Sequence, residues 1–153
     1  MLYFAYGSNL SKAAMQKRAP TSRPVIAAVL PQYRLTFESN EPEGSPPAFF
    51  ANIRPHAESS VPGALYDVDD AALGLLDAYE DLARGVYERA EAVVLRADGK
   101  RAVVVLYRMH GRELRLGRPS ERQLRQIREG YADWGLDRRA LDAATRLIPS
   151  TRS

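Results

Sequence analysis

An α+β fold with a mainly antiparallel sheet is what this sequence predicts. Strand-like apolar runs outnumber helical ones, the connections are too short for regular βαβ alternation, and Asp98-Gly99 sits between two valine-rich runs as a hairpin signal. Six or seven strands are enough to close into a barrel, which removes exposed edges. At 153 residues, 45% hydrophobic and 27% charged, the chain suits one globular domain, expected over residues 1–148, with 149–153 a frayed tail.

Leu2 to Tyr6 is short, apolar and aromatic, as a buried strand is, and ends at the turn residues Gly7-Ser8-Asn9. Ser11 can cap a helix over Lys12 to Ala19, which Pro20 and Pro24 stop. Val25–Leu30 and Tyr33–Phe37 read as two strands divided by Pro31, and Glu38 to Pro47 as a loop beside a pocket. Ala48 to Ile53 and Gly63 to Val68 are two more strands, after which Asp69 or Asp70 opens a helix to about Asp81, closed by Gly85. Tyr87–Leu95 and Ala102–Tyr107 form a hairpin across a two-residue Asp98-Gly99 turn. Ser120 and Gln123 fit a capping box for a helix with Leu124, Ile127, Tyr131 and Trp134 on one face, ended by Gly135. Asp137 can cap a last helix through Leu141, Ala144 and Ile148.

Composition removes several chemistries. With no cysteine there is no disulfide, thiolate metal site or cysteine nucleophile, and a reducing compartment fits. His56 and His110 have no partner at metal-ligand spacing, so no metal is expected. Neither a Gly-x-Ser-x-Gly elbow nor a phosphate-binding loop with its lysine is present. No apolar run is long enough to span a bilayer and the first ten residues lack the basic start of an export signal, so a cytoplasmic protein without a membrane partner is expected.

The net charge of +3 dictates no polyanionic partner. Arg108, Arg112, Arg115, Arg118, Arg122, Arg125 and Arg128 face only Glu113 and Glu121, a local basic stretch. It reads as a solvated face, as a nucleic-acid contact or as an attractor of an acidic small substrate. No nucleic-acid partner is expected, and the nucleic-acid reading carries its own test, a steep loss of affinity with salt.

What remains is a loop and a carboxylate. Tyr6-Gly7-Ser8-Asn9-Leu10 joins an apolar strand to a helix, where unpaired N–H groups receive an anion or a developing oxyanion; its plain alternative is an ordinary strand-to-helix turn. Glu80 lies seven residues after Leu73 and four after Leu76, on the same helical face. A carboxylate in an apolar stripe is paired, protonated or kept for function. Asp77 lies near the same stripe, Asp81 reads as exposed at its end, and the plain alternative is that Glu80 snorkels or pairs with Arg84.

Tyr3-Phe4-Ala5-Tyr6-Gly7-Ser8-Asn9-Leu10, Arg18-Ala19-Pro20, Tyr33-Arg34-Leu35-Thr36-Phe37, Ala51-Asn52-Ile53, Gly63-Ala64-Leu65-Tyr66, Leu76-Asp77-x-x-Glu80 and Gly85-Val86-Tyr87, with Pro119-Ser120, Gly130 and Gly135-Leu136 beyond them, occur in an order that resembles the gamma-glutamylcyclotransferase-like superfamily. The resemblance runs from Leu2 to about Leu147. It implies a small mixed, mainly antiparallel barrel with flanking helices, and a pocket where the Tyr6–Leu10 loop faces Glu80 and Tyr87 contacts the substrate. Asn9 is similar to the gamma-glutamylcyclotransferase branch, whereas the glutathione-specific branch usually has Leu there.

The implied reaction needs no cofactor: the α-amine of a γ-glutamyl group attacks its own γ-carbonyl, releasing an amine or amino acid and leaving 5-oxoproline. Glu80 is the implied general acid/base, and Tyr6, Gly7, Ser8, Asn9, Leu10 and Tyr87 the substrate-binding residues. An α-amine near pKa 8 facing an ordinary glutamate near 4.3 is mismatched by roughly 3.7 units, or about 5 kcal/mol. Burial of the carboxylate narrows that gap. The alternative is a non-catalytic γ-glutamyl ligand-binding or regulatory module, and the expected oligomeric state is monomer or homodimer.

Overall fold

Five strands close into a ring because the second of them pairs with both the third and the fourth. The computed structural model describes residues 1–41, 48–82, 85–110 and 114–149. Strand β1 (Leu2–Ala5) runs antiparallel to β3 (Phe50–Asp67) and parallel to β5 (Arg101–Met109) through Tyr3 opposite Val105. Beyond β5 the order continues through β4 (Tyr87–Arg96) to β2 (Arg23–Ser39), which pairs back onto β3 and completes the mixed, mainly antiparallel barrel. A two-residue β6 (Arg115–Leu116) extends β2 at Glu38 and Ser39. Helices α1 (Lys12–Arg18), α2 (Asp70–Tyr79), α3 (Glu121–Trp134) and α4 (Arg139–Arg146) flank it. Among the described residues no helix is long and apolar enough to cross a membrane.

The strands expected on either side of Pro31 are one strand, and so are those expected over 48–53 and 63–68. Pro31 lacks an N–H and Gln32 takes a φ of 65°, so the ladder slips there: Pro31 pairs with Ser60 and Tyr33 with Pro55. A bulge of this kind bends a strand without ending it. Glu38 and Ser39, expected in a loop, are buried inside β2.

Glu38 is wholly buried and ion-paired with Arg54, and accepts from Thr36 Oγ1 at 3.0 Å and Asn52 Nδ2 at 2.5 Å. Asn52 Oδ1 in turn accepts the Met109 N–H at 2.8 Å, which fastens the end of β5 and with it Tyr107. The Arg54 charge on one oxygen and two donors on the other are what let a buried carboxylate sit inside a barrel.

Turns and caps depart from expectation in small, explicable ways. The hairpin turn has three residues rather than two: Arg96 N–H bonds Lys100 O at 2.8 Å and Gly99 takes φ 86°. Helix α2 starts as read, with Asp69 accepting the Ala72 N–H at 2.7 Å, but ends at Tyr79 because Asp81 adopts φ 55°; Gly85 lies beyond the end. Ser120 caps α3 through the Gln123 N–H at 3.1 Å, and Gly135 closes it at φ 63°. Asp137 binds the Arg139 N–H at 2.8 Å from one residue outside the cap position of α4, which Arg138 occupies. Of the basic stretch, Arg108 pairs with Glu88 and Arg118 with Glu121. The remainder of the 38–47 loop beyond Glu41, Arg84, Arg112, Glu113 and the tail after Pro149 lie outside the described residues.

Candidate active site

The chain leaves β1 through Tyr6 and Gly7, makes a single 3₁₀ turn over Ser8–Leu10, and enters α1 under the Ser11 cap, whose hydroxyl accepts the Ala14 N–H at 3.2 Å. The opening N–H groups of such a turn have no acceptor within it. Space is tight at Gly7: a Cβ on it would lie 3.0 Å from Ala51 Cβ, so a side chain there would press the turn against β3. Across from this turn, Glu80 caps the C-terminus of α2, its N–H bonded to Leu76 O at 2.8 Å. A cavity of about 230 Å³ separates the two and is walled by Tyr3, Tyr6, Asn9, Glu80, Tyr87 and Tyr107.

Glu80 retains part of its surface, but its carboxyl end is sunk among rings, and that burial pushes its pKa up to about 7. Arg18 opposes the rise and Asp81 adds to it. Asn9 is buried; its Nδ2 donates to Tyr3 Oη at 2.9 Å and to Glu80 Oε1 at 3.4 Å. Burial likewise raises the phenols of Tyr3, Tyr6 and Tyr87, so each stays a neutral donor. Tyr6 spends its proton on Tyr107 O at 2.5 Å and Tyr87 on Ala51 O at 2.6 Å, which fixes both rings as walls.

The expected residues Tyr6, Gly7, Ser8, Asn9, Glu80 and Tyr87 therefore meet around one cavity. Leu10 does not join them: wholly buried, it turns into the core, where its carbonyl accepts from Trp134 Nε1 at 2.9 Å and Tyr66 Oη at 3.3 Å. Asp81, expected exposed, is partly buried and lines the cavity. Asp77 is taken up by Arg89 and by Tyr107 Oη at 2.6 Å.

Tyr3, Tyr107 and Gln123 are among the lining residues that no local sequence pattern announces. Tyr3 and Tyr107 come from strands that look like plain core. Gln123 fits a capping box in the sequence, yet it lines the cavity, and its Oε1 is buried without a donor among the described residues. Its backbone makes the cap and its side chain does not.

The family model for gamma-glutamyl cyclotransferase, AIG2-like, matches residues 3–135. The chain belongs to that family. It is accordingly a cyclotransferase, and the resemblance noted in the sequence holds across the barrel and α3. Among solved structures, one named gamma-glutamyl cyclotransferase superposes with a TM-score of 0.84 at 24% identity, covering 100% of this chain and 90% of that one. An uncharacterized human protein matches with a TM-score of 0.83 at 25% identity over 99% of this chain and 90% of its own. A yeast gamma-glutamyl cyclotransferase specific to glutathione shares the fold at a TM-score of 0.60 and 13% identity, over 97% and 96% of the two chains. No curated protein sequence matches the chain significantly.

The raised Glu80 pKa makes stability depend on pH in a defined sense. The unfolded chain loses this proton near 4.5 and the folded chain near 7, so between those values the folded state holds the extra proton. Rising pH therefore drains stability across that window, by up to about 3 kcal/mol. Urea unfolding at pH 5 and pH 7.5 is expected to show this loss in the wild type and not in Glu80→Gln. An equal pH response in the two would remove Glu80 as its source.

Proposed function

We propose that this chain is a cofactor-independent, cytoplasmic gamma-glutamyl cyclotransferase, acting as one domain, that converts a γ-glutamyl amine or amino acid to 5-oxoproline with Glu80 as general acid/base. The observation that carries the reading is a carboxyl, raised by burial to a pKa of about 7, that lines one small cavity together with Gly7, Ser8 and Asn9 of the 3₁₀ turn. Its volume of about 230 Å³ is on the scale of a compact acyl group rather than a drug-sized ligand. The glutamyl group then sits inside while the leaving amine extends past the exposed rings of Tyr79 and Phe50.

Glu80 takes a proton from the substrate α-ammonium, freeing the lone pair that attacks the γ-carbonyl carbon. The carbonyl π electrons move to oxygen, which turn N–H groups stabilise; losing one such donor typically costs about 3 kcal/mol. As the intermediate collapses, the C–N bond to the leaving amine breaks and the Glu80 proton passes to that nitrogen; the carboxylate so restored takes the second proton from the attacking nitrogen, which leaves the lactam N–H, and hands it to the released amine, which departs as an ammonium. With Glu80 near 7 and an α-amine near 8, the proton mismatch shrinks to roughly one unit, or about 1.4 kcal/mol.

The test is to incubate purified protein with a panel of γ-glutamyl amino acids and γ-glutamyl amines and follow 5-oxoproline by mass spectrometry. Product from one member supports the reading and names the leaving group. Tight binding of a panel member without product supports the ligand-binding module in its place.

A further inference from the structure

We propose that Arg18 is a positioning residue of this site, holding the Asn9 amide in the one orientation that directs its Nδ2 group at Glu80. The inference rests on the reading of Glu80 as the acid/base. An asparagine amide has a donor end and an acceptor end, and a guanidinium only donates. Arg18 Nη1 lies 2.6 Å from one end of Asn9, so that end is the oxygen. The NH₂ group is thereby forced to the opposite side, where Tyr3 Oη at 2.9 Å and Glu80 Oε1 at 3.4 Å receive it.

The guanidinium is itself held from three elements. It donates to Ser8 Oγ at 3.0 Å in the 3₁₀ turn and to Gln126 Oε1 at 3.3 Å on α3, and lies 4.0 Å from the ring centroid of Tyr79 at the end of α2. A planar fork gripped in this way is pre-organised, and lysine cannot reproduce it. Arg18 is absent from the cavity walls, so its effect reaches the chemistry through Asn9 and through its charge.

The groups that face Glu80 come from every side: Tyr3 of β1 and Tyr6 just after it, Tyr87 of β4, Tyr107 of β5, Asp81 beside it, and Arg18 of α1. The phenols of Tyr3, Tyr87 and Tyr107 are held neutral by burial. Asp81 favours the protonated carboxyl and Arg18 the ionised one. Asn9, fixed as a donor, also favours the ionised form.

Arg18→Met and Arg18→Lys separate orientation from charge. The folded state of each is checked by thermal melting. The Asn9 side-chain NH₂ is then followed in ¹⁵N NMR spectra, and the Glu80 carboxyl is titrated by ¹³C NMR. Neither measurement requires turnover. In both variants the Asn9 NH₂ signals are expected to lose their distinct shifts, and kcat on the best γ-glutamyl substrate to fall about 10- to 100-fold with KM within about threefold. The Glu80 midpoint is expected to rise in both variants, by at least about half a pH unit in Arg18→Met and by less in Arg18→Lys, which loses the oriented Asn9 donor but keeps the cation. Unchanged Asn9 signals in a folded variant overturn the proposal; if the methionine variant does not fold, the lysine variant decides. A wild type that makes no 5-oxoproline overturns the functional reading instead, and leaves the NMR comparison standing.

Discussion

Glu80→Gln is expected to lower kcat for 5-oxoproline formation by about 1,000-fold while the protein stays folded, general acid–base catalysis being worth roughly 10²–10⁴. Glutamine keeps the length of the side chain and an oxygen for the Asn9 Nδ2 group that now donates to Glu80 at 3.4 Å. What it lacks is a site that takes and returns a proton. Because the native carboxyl is destabilised by burial, the neutral amide removes that penalty near pH 7.5, and the melting temperature is expected to hold or rise. A fold that survives with chemistry gone separates this residue from one that merely supports the structure. Glu80→Asp, which retracts the same group by one methylene, is expected to fall between, with a loss of about 100-fold from misplacement. Turnover in Glu80→Gln within tenfold of wild type would remove Glu80 as the base.

The carboxylate was legible because helical periodicity put it on the face of Leu73 and Leu76, where an unpaired charge demands a reason. Its actual place is the residue after the helix, and the positive φ of Asp81 that ends α2 there left no mark in composition. The same periodicity applied to α1 puts Arg18 four residues after Ala14 and three after Met15, both buried, so it carried a signal of the same kind. An arginine at a helix C-terminus reads so readily as a favourable end charge that the stripe is overlooked. Tyr3 and Tyr107 were illegible for a different reason. They touch the cavity because β1 lies parallel beside β5, a pairing between positions 3 and 105 that no local pattern announces. The long strands β2 and β3 were split in the reading because a bulge carries turn residues without making a turn: Pro31 and Gln32 on one side, residues 56–59 on the other.

Gly130→Ala is expected to destabilise the protein by about 2 kcal/mol and to cost activity as well. Glycine inside α3 is a poor helix former, so alanine there gains about 1 kcal/mol in propensity. Against that stands a clash of the hardest kind: the new Cβ would meet the Leu10 carbonyl carbon at 2.7 Å and the Ser11 nitrogen at 2.8 Å, backbone atoms that have no rotamer to escape into. Overpacking of this sort costs about 1–3 kcal/mol, and the upper end applies where the obstruction is main chain. The paired control is Gly74→Ala in α2, where an added Cβ meets nothing within 4 Å. There the propensity gain is unopposed, and stability is expected to rise by about 0.5–1 kcal/mol. Urea unfolding with an unchanged slope reads both. The activity consequence follows from what Gly130 touches. Leu10 and Ser11 close the turn that carries Ser8 and Asn9, and the Leu10 carbonyl is already tied to Trp134 and Tyr66, so a shift there moves the turn against Glu80. Displacement by about 1 Å is expected to lower kcat about 100-fold in the folded variant. A folded Gly130→Ala protein with wild-type kcat would mean that α3 yields rather than the turn, and that the close contact serves packing alone.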